Sequence, residues 1–330
     1  MKFDPALILI RYTLSAYPPM PHPHIKTRHL ALLMQLDRER SVLRAAQAIG
    51  MSQPAASKLL RELEESLGVR LFERHARGVE PTAYGDILVR HAQAALLEMQ
   101  RAADEVEALR SGQGVRVSIG TVMSPGTDLV PLALSLLAQR NPQMAVDVEM
   151  DFSRPMVARL LQGRLELVLG RVLDPEHASA LRFEPLAEEP HRLVARPGHP
   201  LARQPRLSIA DLVEFPWVLP QPQSILRERL VAMFLQRGLA MPRKIVETSS
   251  LPLIVPLLRG TDMLVALPED VVRPYCDAGM LALLPVDLGV SMAAYGLITP
   301  RDRPLSPGAA QMLGALREAA ALLASGHGKR

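Results

Sequence analysis

Apolar residues recur along this chain with two different periods, and the change of period divides it. From residue 27 to residue 109 the spacing is helical. Thr27–Arg38 gathers Leu30, Leu33, Met34 and Leu36 on one face. Val42, Ala45, Ala46 and Ile49 make a second short stripe, and Ala56, Leu59, Leu60, Leu63 and Leu67 a third. Between the last two lies Gly50-Met51, a tight turn, because glycine accepts backbone angles closed to other residues. Ser41 and Ser52 stand at N-cap positions, and Pro54 falls in a first helical turn, where a missing N–H costs little. Gly68 ends the third helix. Leu71-Phe72 and Gly78-Val79-Glu80 suit the arms of a short hairpin whose second strand Pro81 shortens. Residues 82–111 then read as one long helix. In it Leu88, Ala92, Ala95, Met99, Ala102, Val106 and Leu109 alternate steps of four and three, the pattern of a seam between two helices.

From residue 115 short apolar runs alternate with helical ones. Strands are expected at Val115–Val122, Ala145–Phe152, Glu166–Gly170, Arg192–Arg196, Trp217–Leu219, Ile245–Thr248, Met263–Ala266 and Ala293–Thr299. Helices are expected at Thr127–Gln139, Arg154–Gln162 and Pro307–Ala324. Such alternation predicts an α/β fold, helices covering a sheet. Ser111-Gly112-Gln113-Gly114 reads as a linker. The expected organisation is an extension at 1–24, a small helical domain at 25–81, a linking helix at 82–112 and an α/β domain at 115–325.

Composition narrows the possibilities. A net charge of +4 permits an anionic partner without requiring one. The lone cysteine, Cys276, excludes an intramolecular disulfide framework and a cysteine-cluster metal site. No apolar run approaches the roughly 20 residues a membrane helix needs. In residues 1–24 Arg11 interrupts the apolar run and Pro18-Pro19-Met20-Pro21 follows, a poor signal peptide; the segment reads as a disordered extension or as sequence upstream of the true start. A cytoplasmic protein is expected. His75, His91, His177, His191 and His199 are scattered, with no H-E-x-x-H, no Gly-x-Ser-x-Gly and no Gly-rich phosphate loop. No catalytic residue, metal or cofactor is therefore expected.

One face of the third helix carries Gln53, Pro54, Ser57, Lys58 and Arg61, side chains suited to base edges and phosphates in a major groove. The hairpin tip, Glu73-Arg74-His75-Ala76-Arg77-Gly78, is basic, as a wing lying along the minor groove requires. The whole stretch from Ser41 to Glu64 resembles the DNA-binding signature of LysR-type transcriptional regulators. Leu67-Gly68-Val69-Arg70-Leu71-Phe72-Glu73-Arg74 and Thr82-Ala83-Tyr84-Gly85 extend that resemblance. It implies an N-terminal winged helix-turn-helix, a long dimerisation helix and a two-lobed α/β effector domain like a type II periplasmic binding protein. Lobe I would hold residues 115–190 and 292–325, and lobe II residues 191–291. It further implies contacts to double-stranded DNA from Gln53, Pro54, Ser57 and Lys58, to phosphates from Arg61, Ser52 and Arg28, and from the wing by Arg74 and Arg77. A homodimer, commonly a dimer of dimers, an interrupted inverted-repeat operator and contact with RNA polymerase are implied as well. The competing reading is a solute-binding protein or sensor without specific DNA binding.

Ligands of open α/β folds sit beyond the carboxyl ends of strands. That selects Met123, Ser124, Phe152, Ser153 and Arg171 in the first lobe, and Gln221, Gln223, Ser224, Glu247, Thr248 and Ser249 in the second. Arg171 suits a carboxylate; Glu247 favours a neutral hydroxylated molecule. The segments 74–82 and 299–307 are similar to a LysR subgroup that includes regulators of a galactose-binding protein and of the protocatechuate pathway. That similarity implies sugar or aromatic-acid catabolism.

Overall fold

The computed structural model describes residues 25–75, 78–111, 115–204, 206–290 and 292–326, and the chain divides into two compact units between Gln100 and Arg101. The extension at 1–24 and the linker at 112–114 lie outside the described residues.

The first unit opens with α1 (Thr27–Glu39), α2 (Val42–Ala48) and α3 (Gln53–Leu67). Ser41 accepts the Arg44 N–H at 3.5 Å and Ser52 the Ala55 N–H at 3.4 Å, so both expected caps form. Gly50 turns the chain between α2 and α3 at φ 67°. The strands β1 (Phe72–His75) and β2 (Gly78–Pro81) follow, antiparallel, and Pro81 is the rung opposite Phe72 rather than a residue that shortens the strand. The Glu64 carboxylate accepts the N–H groups of Leu71 at 2.7 Å and Phe72 at 3.2 Å, tying the hairpin to α3. The core gathers Leu32, Leu33, Leu36, Ala45, Ala46, Ala56, Leu60, Leu63, Leu71, Phe72 and Val79. Leu32 takes the inward place that spacing assigned to Leu30 and Met34, both only half-buried.

The long helix α4 (Ala83–Ser111) begins with a glycine no other residue replaces: a Cβ at Gly85 would lie 2.1 Å from the Leu71 carbonyl oxygen. Its first turns complete the first unit's core through Val89 and Ala92, with Leu88 packed against them. This corrects the expected seam. Ala92 is fully buried and Leu88 half-buried because the winged domain itself covers the inner face of α4 there. Further along, Ala95, Met99, Ala102 and Val106 are exposed, Val106 at 66%. The side chain of Leu109 lies outside the described residues.

The second unit holds two sheets. The first is built from β3 (Arg116–Thr121), β4 (Ala145–Met150), β5 (Leu167–Gly170), β6 (Leu181–Ala187) and one strand from the chain's end. The helix expected at Thr127–Gln139 is in fact two, α5 (Met123–Thr127) and α6 (Leu129–Arg140), broken at Asp128, whose carboxylate accepts the Leu129 N–H at 2.6 Å. Helix α7 (Ser153–Leu161) follows β4. The chain then passes through Glu188-Glu189-Pro190 into the second sheet. This comprises β7 (His191–Ala195), β8 (Trp217–Leu219), β9 (Ile245–Glu247), β10 (Leu264–Pro268) and β11 (Ala282–Leu283), with helices α8 (Ile225–Gln236), α9 (Leu251–Arg259) and α10 (Glu269–Asp277). It returns through β12 (Tyr295–Pro300) and ends in α11 (Pro307–Ala324). The strand orders are β4-β3-β5-β12-β6 and β11-β7-β10-β8-β9.

Each sheet has its own core. In lobe I, Val117, Ile119, Leu167 and Leu297 pack against Ala133, Leu137, Met312 and Leu316. In lobe II the single tryptophan, Trp217, is fully buried. Its indole N–H donates to the Leu212 carbonyl at 3.0 Å, and it meets Phe234 edge-on at 5.6 Å. Among the described residues no helix is long and apolar enough to cross a membrane.

Candidate functional sites

Helix α3 buries one face and offers the other to solvent. Ala56, Leu60 and Leu63 are in the core. Ser52, Gln53, Pro54, Lys58 and Arg61 are exposed, and Ser57 is half-buried. Arg74 reaches back from β1 and donates to the Ser57 hydroxyl at 3.5 Å, which brings wing and helix into one surface. Lys58 stands 3.7 Å from Glu62 in a solvent-exposed pair, an interaction worth little that either partner can leave. Arg28 is exposed at the start of α1. Arg77 lies outside the described residues.

Between the two sheets of the second unit opens a cleft of about 750 Å³, a size typical of small-molecule sites. The carboxyl ends of β4 and β5 bring Phe152, Ser153, Arg154 and Arg171 to it. The segments after β8 and β9 bring Gln221, Gln223, Ser224, Thr248 and Ser249. Apolar side chains, among them Met123, Leu173, Ile225, Leu226, Ile254, Leu267 and Met292, make up much of the remaining lining. Ser124 lies buried just behind Met123; its hydroxyl faces Glu189 but forms no hydrogen bond of ordinary geometry with the described residues. Ser153 accepts the Arg171 backbone N–H at 3.1 Å. Gln221 accepts from the Ser249 hydroxyl at 2.8 Å, and Thr248 accepts the Ser250 N–H at 3.1 Å.

The charges of the cleft are paired. Arg171 donates to Glu189 at 2.8 Å, with both side chains 6% exposed, and to the Ala293 carbonyl at 2.5 Å. Burial pushes the Glu189 carboxyl up while the adjacent guanidinium pulls it back. The His191 ring lies 3.8 Å from the same carboxylate and contacts the Glu189 carbonyl at 3.0 Å; burial lowers its pKa to about 4. Asp151 pairs with Arg159 at 3.0 Å. Arg154 pairs with Asp174 at 3.4 Å and, across the cleft, with Glu228 of lobe II at 3.3 Å.

Three expected residues therefore behave differently, and the first, Ser124, lies behind the lining of the cleft rather than in it. Arg171 is in the cleft but is not a free cation. Glu247 leaves the cleft altogether, because it ends β9 turned towards Arg227, which holds it at 2.6 Å. Glu189 and His191 escaped sequence reasoning. They belong to the crossover, where no strand-end rule applies; the one available signal was a carboxylate pair followed by proline between two strands.

Residues 27–86 match the bacterial regulatory helix-turn-helix proteins of the lysR family, and residues 110–321 match the LysR substrate binding domain. The chain is 40% identical over 296 residues to the HTH-type transcriptional regulator GbpR of Azospirillum brasilense, spanning 89% of this chain and 86% of that protein. It is 35% identical over 311 residues to the HTH-type transcriptional regulator PcaQ of Agrobacterium fabrum, spanning 93% and 99%. Among solved structures, ArgP from Mycobacterium tuberculosis shares the fold with a TM-score of 0.66 at 19% identity, over 90% of this chain and 97% of that one.

Proposed function

The chain belongs to the LysR family of DNA-binding transcriptional regulators, which carry an effector-binding domain, and from that premise we propose a division of labour among its residues. Residues 25–81 bind DNA, 82–112 link and dimerise, and 115–325 bind the effector. Gln53, Pro54, Ser57 and Lys58 enter the major groove, Ser52, Arg61 and Arg28 hold phosphates, and the wing arginines Arg74 and Arg77 lie along the minor groove. Base edges supply sequence preference and phosphates supply register. The exposed residues Ala95, Met99, Ala102 and Val106 face a second copy, so that two recognition helices meet an interrupted inverted repeat. Dimers pair into tetramers. The effector lies between the lobes, held by residues from both, and shifts the relative weight of two arrangements of the assembly on DNA, and with them contact to RNA polymerase. The setting is sugar or aromatic-acid catabolism, in the cytoplasm.

The observation that carries this reading is the contrast on α3, with one face in the core and the other offering Gln53, Lys58 and Arg61 uncovered to solvent. The test is binding of the purified protein to the intergenic DNA beside its own gene, across a salt series and against random competitor. Tight binding that survives competitor supports the reading. Failure to bind at every salt concentration overturns it, because counterion release would yield measurable affinity at low salt even for non-specific contact.

A further inference from the structure

We propose that the cleft takes an uncharged, hydroxyl-bearing molecule, a sugar or polyol, and that Glu189 enforces this choice by keeping the Arg171 guanidinium occupied. The inference rests on the reading of the cleft as the effector site and deepens it.

Four charged side chains line the cleft, two of each sign, and each stands within 3.4 Å of an opposite charge. Arg171 is the buried cation among them, and Glu189 and the Ala293 carbonyl already hold it. A ligand carboxylate seated against Arg171 would bring a second negative charge beside Glu189 at a place water barely reaches. Burying a charge without a partner of its own is strongly unfavourable. The polar groups left uncommitted are neutral. Ser224 is 4% exposed and lines the cleft, and its hydroxyl makes no hydrogen bond among the described residues, its backbone alone being engaged by Gln221 and Glu228; the Gln223 side chain likewise makes none. Serine and glutamine both donate and accept, as ligand hydroxyls do. The amino ends of α7 and α8 also face the cleft. Each carries only about half a positive charge, and its N–H groups serve a hydroxyl oxygen as well as a carboxylate.

The test is calorimetric titration of the full-length protein with neutral hexoses and pentoses, each matched to the uronic or aldonic acid of the same stereochemistry. In the wild type a neutral member binds, and its acid binds at least about tenfold more weakly. In Glu189→Gln the freed guanidinium swings that ratio towards the acid by about tenfold or more. In the double variant Arg171→Gln/Glu189→Gln, which leaves no buried charge unpaired, the swing is absent and neutral binding persists. The proposal is overturned by an acid that binds the wild type as tightly as its neutral partner. It is overturned equally by a ratio that Glu189→Gln leaves in place, or by a neutral panel that does not bind at millimolar concentration. Gln223→Trp, titrated with whichever neutral or acidic member binds the wild type, separates failure of the proposal from that of the underlying reading: a probe that binds this variant undiminished does not occupy the cleft, and the effector site lies elsewhere.

Discussion

The two halves of this regulator keep their functional side chains under opposite conditions. On α3 the charged groups proposed to meet DNA are exposed, and Lys58 stands 3.7 Å from a surface carboxylate. In the cleft the guanidinium of Arg171 is buried and bound at 2.8 Å to a carboxylate buried as deeply. The difference follows from the partners. A polyanion arrives with its own charge, so cations that meet it need only be held in solvent and surrender little on contact. A cleft that closes over a small molecule must neutralise its buried charges before any ligand is present. Residues of the first kind are therefore separable from stability, and residues of the second kind are not.

The harshest test of that contrast is Arg171→Ala. It leaves Glu189 buried without its cation and is expected to cost about 3–5 kcal/mol in urea unfolding of the full-length protein. Arg171→Met/Glu189→Leu, which removes both charges, should cost much less. A single variant within about 1 kcal/mol of the wild type would mean that water reaches the pair, and the contrast would fail.

A second test uses acid. His191 is neutral in the fold, with a pKa of about 4 against an ordinary 6.5. Between those values the unfolded chain takes up a proton that the fold refuses. The fold therefore loses about 3 kcal/mol of stability as pH falls from 6.5 towards 4, and above pH 6.5, where both states are neutral, it loses none. Glu189 has the opposite sign: its raised carboxyl takes a proton more readily in the fold, so it gains stability as pH falls through its folded value. His191→Gln should flatten unfolding free energy between pH 6.5 and 4. An unchanged slope would place the ring in contact with water.

The same contrast explains what could be read from sequence. The winged domain was legible almost residue by residue, because its function is written on one local helix: Ser52 caps, Ala56, Leu60 and Leu63 point inward, and Lys58 and Arg61 point outward. The cleft was legible only as strand ends. Phe152, Ser153, Ser224 and Thr248 line it as the strand-end rule expects. The Arg171–Glu189 pair joins residues 18 apart, and Glu247 turns away because Arg227, 20 residues before it, holds it. Neither partnership has a sequence period. Ala92 was misread for the related reason that a helical stripe names a buried face without naming what buries it.

A third test lies on the DNA side. Lys58→Ala should weaken operator binding by about tenfold; if Lys58 reaches only a phosphate from its place in the major groove, random DNA loses as much and the slope of log affinity against log salt falls by about one. Thermal stability should stay within about 0.5 kcal/mol of the wild type. Affinity lost for the operator alone, with random DNA unaffected, would assign Lys58 to a base edge instead.

The smallest expected effect sharpens the comparison most, because it places both kinds of demand on one side chain. The Ser52 oxygen accepts the Ala55 N–H, while its hydroxyl proton remains free to donate to a phosphate from the exposed face of α3. Ser52→Ala should cost about 1 kcal/mol of stability and also weaken DNA binding. Ser52→Asp keeps an oxygen for the cap and places a negative charge at a helix amino end, so the fold should be no less stable than the wild type. The same carboxylate would repel the phosphate. DNA affinity should therefore fall further in Ser52→Asp than in Ser52→Ala, while stability orders the two variants the other way. Denaturation and DNA titration of the same preparations read both quantities. If the two rank the variants alike, Ser52 serves the fold alone, and α3 begins its contact with DNA at Gln53.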